Sequence, residues 1–367
     1  MIFSMLCPAF PSTARTIDHL PDAIDAVAAS AVSTHRFLRR QWYAAATETY
    51  GGTARTLLVE RGGRDMLALP LVPLGPALLR MGQVPGSYWP FRSGPVAQDA
   101  RSDDFAALLA EAGRQLRGFR LGPVYDGDPM LAGLQAAAAA AGWRVLPRFL
   151  ADSYLLDIAA RQAEGPWPRL STLRKNRFNE KHLAALGAPE WSFAHGGDWT
   201  SGLFDDLASV ERASWLTSRT DGRDAKFMDE GHGRFWRSVA RDPVLAEMMW
   251  VAMLRMDGRP AAFSFDLNVG THKYAIANSY DLAFRQRSPG RLLYYRNLVR
   301  AAADGITQVD WGAGDSGYKR LIGAEQGAAI RDWLFLRLGL PALTGTMFAR
   351  RWAKSGQIPD GGDVDAG

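Results

Sequence analysis

Two short segments near the C-terminal end carry residue types that can do chemistry together. The first is Arg287-Ser288-Pro289-Gly290-Arg291-Leu292, which opens a segment with helical apolar spacing. Ser288 suits an N-cap, Pro289 a first helical turn, and Gly290 leaves the backbone open to close approach. Such a helix start leaves amide N–H groups without partners at the positive end of the helix dipole, and so attracts an anion. Arg287 and Arg291 add planar guanidinium donors that match phosphate oxygens. The chemistry implied is phosphate binding, and a pyrophosphate fits it.

The second segment runs from Asp310 to Lys319, with Gly312, Gly314 and Gly317 between them. Read literally, the glycines match the G-x-G-x-x-G fingerprint of nicotinamide dinucleotides. That reading fails, because too little chain follows to complete a dinucleotide fold and Asp332 starts a strand rather than ending one. The glycines instead suit a tight strand-to-helix turn. Asp315 on that turn, Asp310 before it and Glu211 upstream are carboxylates able to accept a proton from an attacking amine or hydroxyl. Asp310 reads equally as a buried hydrogen-bonding residue, and Glu211 as one on a helix surface. Lys319 suits a site where an oxyanion develops; a surface Lys319–Arg320 pair is its plain alternative. Trp215, with Arg174 and Lys175 from a basic helix, fits the wall of an acceptor pocket. Core packing for the tryptophan and a solvated face for the cations are the alternatives. His232 and His272 are bases by type, though an isolated histidine more often serves structure. No His/Cys/Asp cluster has metal-ligand spacing, so no metal is expected, and no Gly-x-Ser-x-Gly elbow occurs.

Periodicity and turn residues indicate the elements that hold these segments. Residues 35–50 have helical spacing and stop at Gly51-Gly52; a hairpin turning at Gly62-Gly63 follows, then a loop rich in Pro, Gly and aromatic residues. Helices are predicted over 103–117 and 129–141 about a strand at 119–124, and separate strands start at Trp143 and Ser153. After the linker Gly165-Pro166-Trp167-Pro168, Ser171 caps a basic helix, and helices follow over 202–218 and 227–241. A three-strand meander turns at Asp257-Gly258. The Ser-Pro-Gly helix, a strand, a short helix about Tyr318 and a last strand close the pattern. The hairpin at 60–75 aligns without gaps to 255–270, which suggests two copies of one α/β unit.

Composition sets the remaining bounds. The chain has 367 residues, 47% hydrophobic and 22% charged, which suits a soluble protein of two ordinary domains. The +5 charge comes mostly from arginine in a chain rich in Ala and Gly, so nucleic acid is not favoured as a partner. Anionic substrates, or peripheral contact with a membrane surface, remain consistent with it. The single Cys7 excludes an intramolecular disulfide and a CxxC zinc site. The N-terminal stretch is broken by Pro8 and Pro11 and reads as no signal peptide. The alanine run 136–141 is too short to span a bilayer. A cytoplasmic location is expected, at the inner face of the membrane if the acceptor is a lipid.

The order helix, helix, three antiparallel strands, helix, strand, helix, strand in the second half resembles the GNAT acyltransferase fold. Arg287-x-x-Gly290-x-Leu292 is similar to the family's phosphate motif, departing from it at Leu292. Further segments resemble the CelD-type, or cellulose-biosynthesis, acetyltransferases. They are Arg174-Lys175-Asn176, Glu211-x-x-x-Trp215, Asp257-Gly258-Arg259-Pro260-Ala261, Tyr280-Asp281, the Ser288-Pro289-Gly290 turn and the Asp310–Lys319 segment. The resemblance implies an α/β (α+β) fold of two tandem GNAT domains with mixed, mostly antiparallel sheets. Residues 1–155 would be a degenerate N-terminal copy, 156–345 the acyltransferase domain and 346–367 a disordered tail. It implies acetyl-CoA or a longer acyl-CoA held by Arg287, Ser288, Gly290 and Arg291. Lys319, Tyr318, Asp315 and Glu211 would carry catalysis, and Trp215, Arg174, Lys175 and Tyr280 would hold the acceptor. That acceptor would be a small molecule, glycan or lipid of the cell envelope, a sphingoid base among them. The alternatives are a Fem-like aminoacyl transferase acting on a cell-wall precursor and a non-catalytic component of polysaccharide assembly.

Overall fold

The computed structural model describes residues 10–87, 91–214, 224–314, 317–337 and 349–355. Two similar runs of strands build its sheet. The first comprises β1 (Ser12–Ile17), β2 (Arg55–Arg61), β3 (Arg64–Pro73), β4 (Met81–Gln83) and β5 (Gly118–Tyr125). After β6 (Trp143–Asp157) the second comprises β7 (Pro189–His195), β8 (Met249–Met256), β9 (Arg259–Val269), β10 (His272–Tyr280) and β11 (Gln308–Ala313), and β12 (Glu325–Arg337) ends the sheet-forming chain. In each run the first four strands pair antiparallel and the last two, β4 with β5 and β10 with β11, pair parallel. The β2–β3 and β8–β9 turns use Gly63 and Gly258 at φ 77° and 75°, a left-handed conformation that only glycine adopts freely. This mixed GNAT-like α/β arrangement is the one expected.

The two runs join by exchanging their last strands. The sheet order is β1-β2-β3-β4-β5-β12-β6-β11-β10-β9-β8-β7. β12 lies against β5 of the first half, while β6 lies against β11 of the second. The expected domain boundary at 155/156 therefore falls inside β6, a strand that completes the other half's sheet. Helices cover the faces. Arg40–Tyr50 of the first half packs on Gly233–Val239 of the second, with Trp42 edge-on to Phe235 and Trp236 at 5.0 and 5.9 Å. Burial of these rings and of Phe37, Phe227, Phe263 and Phe265 makes one apolar core continuous across both halves.

Several elements differ from expectation. The edge strands β1 and β7 were not expected; each is short and half-exposed, so its apolar alternation is weak. β6 is one 15-residue strand rather than two, because Pro147, which reads as a break, sits opposite Trp333 in a continuous ladder with β12. The expected helix at 202–218 is Ser201–Ala213, and that at 227–241 is Gly233–Val239. In the expected tail, residues 349–354 are helical, and Trp352 docks by donating its indole N–H to the Leu146 carbonyl at 3.2 Å.

Candidate functional site

β10 and β11 pair only over His272–Tyr274 and Gln308–Asp310. Beyond that point β10 continues along β9 with an irregularity at Ala275/Ala277 and β11 turns toward β6 with its own irregularity. The two parallel strands diverge, and among the described residues no ladder pairs them beyond that point. The helix Pro289–Ala303 starts at the far end of β10, tied there by Asn278 Nδ2 donating to the Gly290 carbonyl at 3.3 Å. Ser288 does not cap it. It sits in the left-handed region at φ 50° with no side-chain cap, so the first-turn amides stay available. Gly290 has a structural reason besides ligand approach, since a Cβ there would meet Asn278 Oδ1 at 2.6 Å. Arg287 and Arg291 flank this start, and the Nε of each is buried without a hydrogen-bond partner. Unsatisfied guanidinium donors beside open amides fit an acyl-CoA pyrophosphate.

At the point of divergence lies a cavity of about 200 Å³ between the halves, with Asp310, Tyr274 and His272 on one side and His35, Phe91 and Tyr125 on the other. Asp310 is 5% exposed. One of its oxygens accepts the Gly312 amide at 2.6 Å, and Tyr125 stands beside it without a well-aligned bond. Burial pushes its carboxyl up to about 6, opposed by the Gly312 amide, Tyr125 and the Lys319 charge. Tyr274 and Tyr125 are raised mainly by burial and then by neighbouring carboxylates, so both stay protonated. His35 is held between Thr34 Oγ1 at 2.9 Å and Asp128 at 3.1 Å, while Asp128 caps the following helix through the Leu131 amide. His272 is lowered by burial and by His35, and so stays neutral near pH 7. A buried carboxylate raised to about 6 and lining a cavity can take a proton from a nucleophile.

The other expected site residues divide. Lys319 is buried at the turn after β11, and its ammonium donates to the carbonyls of Gly312, Ala313 and Gly314 at 3.3, 2.9 and 2.7 Å. It is no surface lysine. Through these bonds it holds the turn that follows Asp310. Glu211 is buried, and its carboxylate accepts the amides of Lys226, Phe227 and Met228 and anchors that segment. Arg174 and Lys175 are exposed on the helix Leu170–Ala184. That helix starts without a side-chain cap, so Ser171 does not serve as one. Tyr280 packs against Gly290. His232 bonds Tyr50 at 2.8 Å and is lowered by burial to about 4. Trp215, Asp315 and the Tyr318 side chain lie outside the described residues.

One feature escaped the sequence reading. Beneath the helix Pro289–Ala303, Lys273 and Asp266 form a fully buried ion pair at 3.0 Å, and Asn297 from the helix donates to Asp266 and, at 3.1 Å, to Ser264 Oγ. Asp266 is raised by burial, against the pull of Lys273. The only hint in sequence was a lysine and an aspartate interrupting apolar strands. Among the described residues no group could hold a metal ion, and no helix is long and apolar enough to cross a membrane.

Residues 170–320 match the acetyltransferase (GNAT) domain family. Over those residues the chain is similar to a GNAT acetyltransferase domain. That domain makes it an acyltransferase. No curated protein matches the sequence. Among solved structures the fold is similar to FemX, at 12% identity, 91% of this chain, 100% of that one and a TM-score of 0.58. It is also similar to the C-terminal DUF2156 domain assigned to a lysylphosphatidylglycerol synthetase of Agrobacterium fabrum. There the identity is 16%, the coverage 92% and 96%, and the TM-score 0.51. A conserved protein of unknown function from Bacteroides thetaiotaomicron matches at 10% identity, 88% and 93% coverage and a TM-score of 0.53. These likenesses speak to the fold alone.

Proposed function

We propose that this protein transfers an acyl group from acyl-CoA to an amine or hydroxyl acceptor in the cavity between its halves, with Asp310 as the base. The observation that carries the proposal is the divergence of β10 and β11 onto that cavity, with Asp310 at its apex. Coenzyme A supplies the acyl thioester. The residues that would hold it are Arg287, Arg291 and the first-turn amides of Pro289–Ala303, and the edge of β10 past the divergence would guide its arm. Asp310 takes the proton as the acceptor nitrogen or oxygen bonds to the acyl carbon and the carbon–sulfur bond breaks. Lys319 fixes the turn behind Asp310, and Lys273–Asp266–Asn297 fixes the phosphate-binding helix to the sheet.

The CelD-like motifs, together with the lipid in the name of the lysylphosphatidylglycerol synthetase relative, favour a small molecule, glycan or lipid of the cell envelope as acceptor. Acyl-CoA is favoured over aminoacyl-tRNA by the paired arginines at the helix start, which suit a pyrophosphate. The test is incubation of the protein with acyl-CoAs of increasing length and extracted envelope lipids and glycans, followed by mass spectrometry. Free coenzyme A and a matching acylated product are expected. Aminoacylated product from charged tRNA, with every acyl-CoA inert, would favour the Fem-like alternative.

A further inference from the structure

The outward face of the helix Leu170–Ala184 combines two side-chain types that water alone does not favour together. Leu170 is 72% exposed and Phe178 61%, and Leu186, just past the helix end, is 50% exposed. Arg174, Lys175, Arg177 and Lys181 are exposed beside them. None of these four cations enters an ion pair among the described residues, whereas the helix's one acid, Glu180, is taken by Arg296 at 2.9 Å. Positions 170, 174, 177, 178 and 181 recur at three- and four-residue steps and share one face. The opposite face buries Asn176 and Leu183 and leans on the segment Leu282–Arg287.

A soluble phosphate ligand would use the cations and leave the exposed leucine and phenylalanine idle. A bilayer surface uses both, since apolar side chains enter the acyl boundary while lysine and arginine meet lipid phosphates. We propose that this helix docks the protein on an anionic phospholipid surface. The unpaired positive charge selects the anionic lipid, and Leu170 and Phe178 supply the insertion. The proposal rests on this face alone and stands independently of acyl transfer.

Sedimentation of the intact protein with vesicles tests it. Binding to phosphatidylglycerol–phosphatidylcholine vesicles is expected to be at least about tenfold tighter than to phosphatidylcholine alone. The Arg177→Glu/Lys181→Glu double variant should lose about 25-fold or more, at about fivefold per cation removed from the surface. Phe178→Ser should lose several-fold with its charge intact, and circular dichroism should show both variants melting like the native protein. Failure to bind the anionic vesicles would overturn the proposal. So would equal binding by Phe178→Ser, or displacement of the native protein from vesicles by free coenzyme A, which would assign the cations to a soluble phosphate.

Discussion

Two parallel strand pairs in this molecule begin alike and end differently. β4 with β5, and β10 with β11, each pair over only three residues before the neighbouring ladder lapses. In the first half the chain fills the lapse with itself. The Phe91 and Arg92 amides donate to the Pro123 carbonyl, Gly122 donates to Arg92, and Ala68 and Ala97 bond Pro95 and Met66. Residues 91–97 thus bridge β5 to β3 where a ligand arm would lie. Gly94 permits it, since a Cβ there would meet the Ala68 carbonyl at 2.2 Å. In the second half the corresponding space opens onto the cavity.

The helices that follow differ in the same sense. Ser102–Gln115 starts with Asp103 and Asp104, and Asp104 caps it by accepting the Arg101 amide at 2.7 Å. Its dipole is neutralised from within and would repel a phosphate. Pro289–Ala303 has no acid in its first turn and is flanked by Arg287 and Arg291. One scaffold therefore yields a sealed unit or a binding unit, according to whether a backbone gap is filled and which charge heads one helix.

The sharpest test of the open half is Asp310→Asn, which should lower turnover by about a hundredfold or more. Turnover of the native protein should rise with pH through about 6, where Asp310 ionises, and the variant should lack that limb. Stability should move the other way. The folded value lies above the unfolded carboxyl, so the native protein loses stability as pH rises from about 4 to about 6, by up to about 3 kcal/mol. Asp310→Asn should escape that loss and melt higher at pH 8. Unchanged turnover would remove Asp310 from the chemistry.

Next in size is Lys273→Met, which strands Asp266 and should cost about 3–5 kcal/mol by denaturant titration. Adding Asp266→Leu should recover most of that, and a mild single variant would mean the helix is held otherwise. Lys319→Met leaves three carbonyls without their cation and should cost about 1–3 kcal/mol. Turnover should fall with the turn's order, while coenzyme A affinity by calorimetry stays near native. Smallest, Arg287→Ala and Arg291→Ala should each weaken coenzyme A by about tenfold. A photo-reactive coenzyme A analogue should label only the second half, and equal labelling of both would break the comparison itself.

Much of this contrast was legible in sequence, because its local parts are local. The hairpin glycines, the Arg287–Arg291 helix start and the glycine turn before Lys319 each declare themselves within ten residues. The cavity did not, because His35, Phe91, Tyr125, Tyr274 and Asp310 meet only through the fold. Asp310 was weighed as base or buried hydrogen-bonder, and burial in the cavity is what raises its carboxyl. The partners of Lys319 and Glu211 were not legible either, for one reason. Residue type advertises charge, while the carbonyls and amides that consume it belong to the backbone, which sequence does not mark.

The exchange of β6 and β12 ties the halves together in time as well as in space. A ribosome releases the first half long before Glu325–Arg337 exists, so β5 and β6 must wait for the last strand to come between them. The nascent first half holds an open sheet edge throughout that interval, which is the state most exposed to wrong pairing. A gene cut near residue 155 would yield two fragments, each lacking the strand that closes it. They would be expected to fold only when made together.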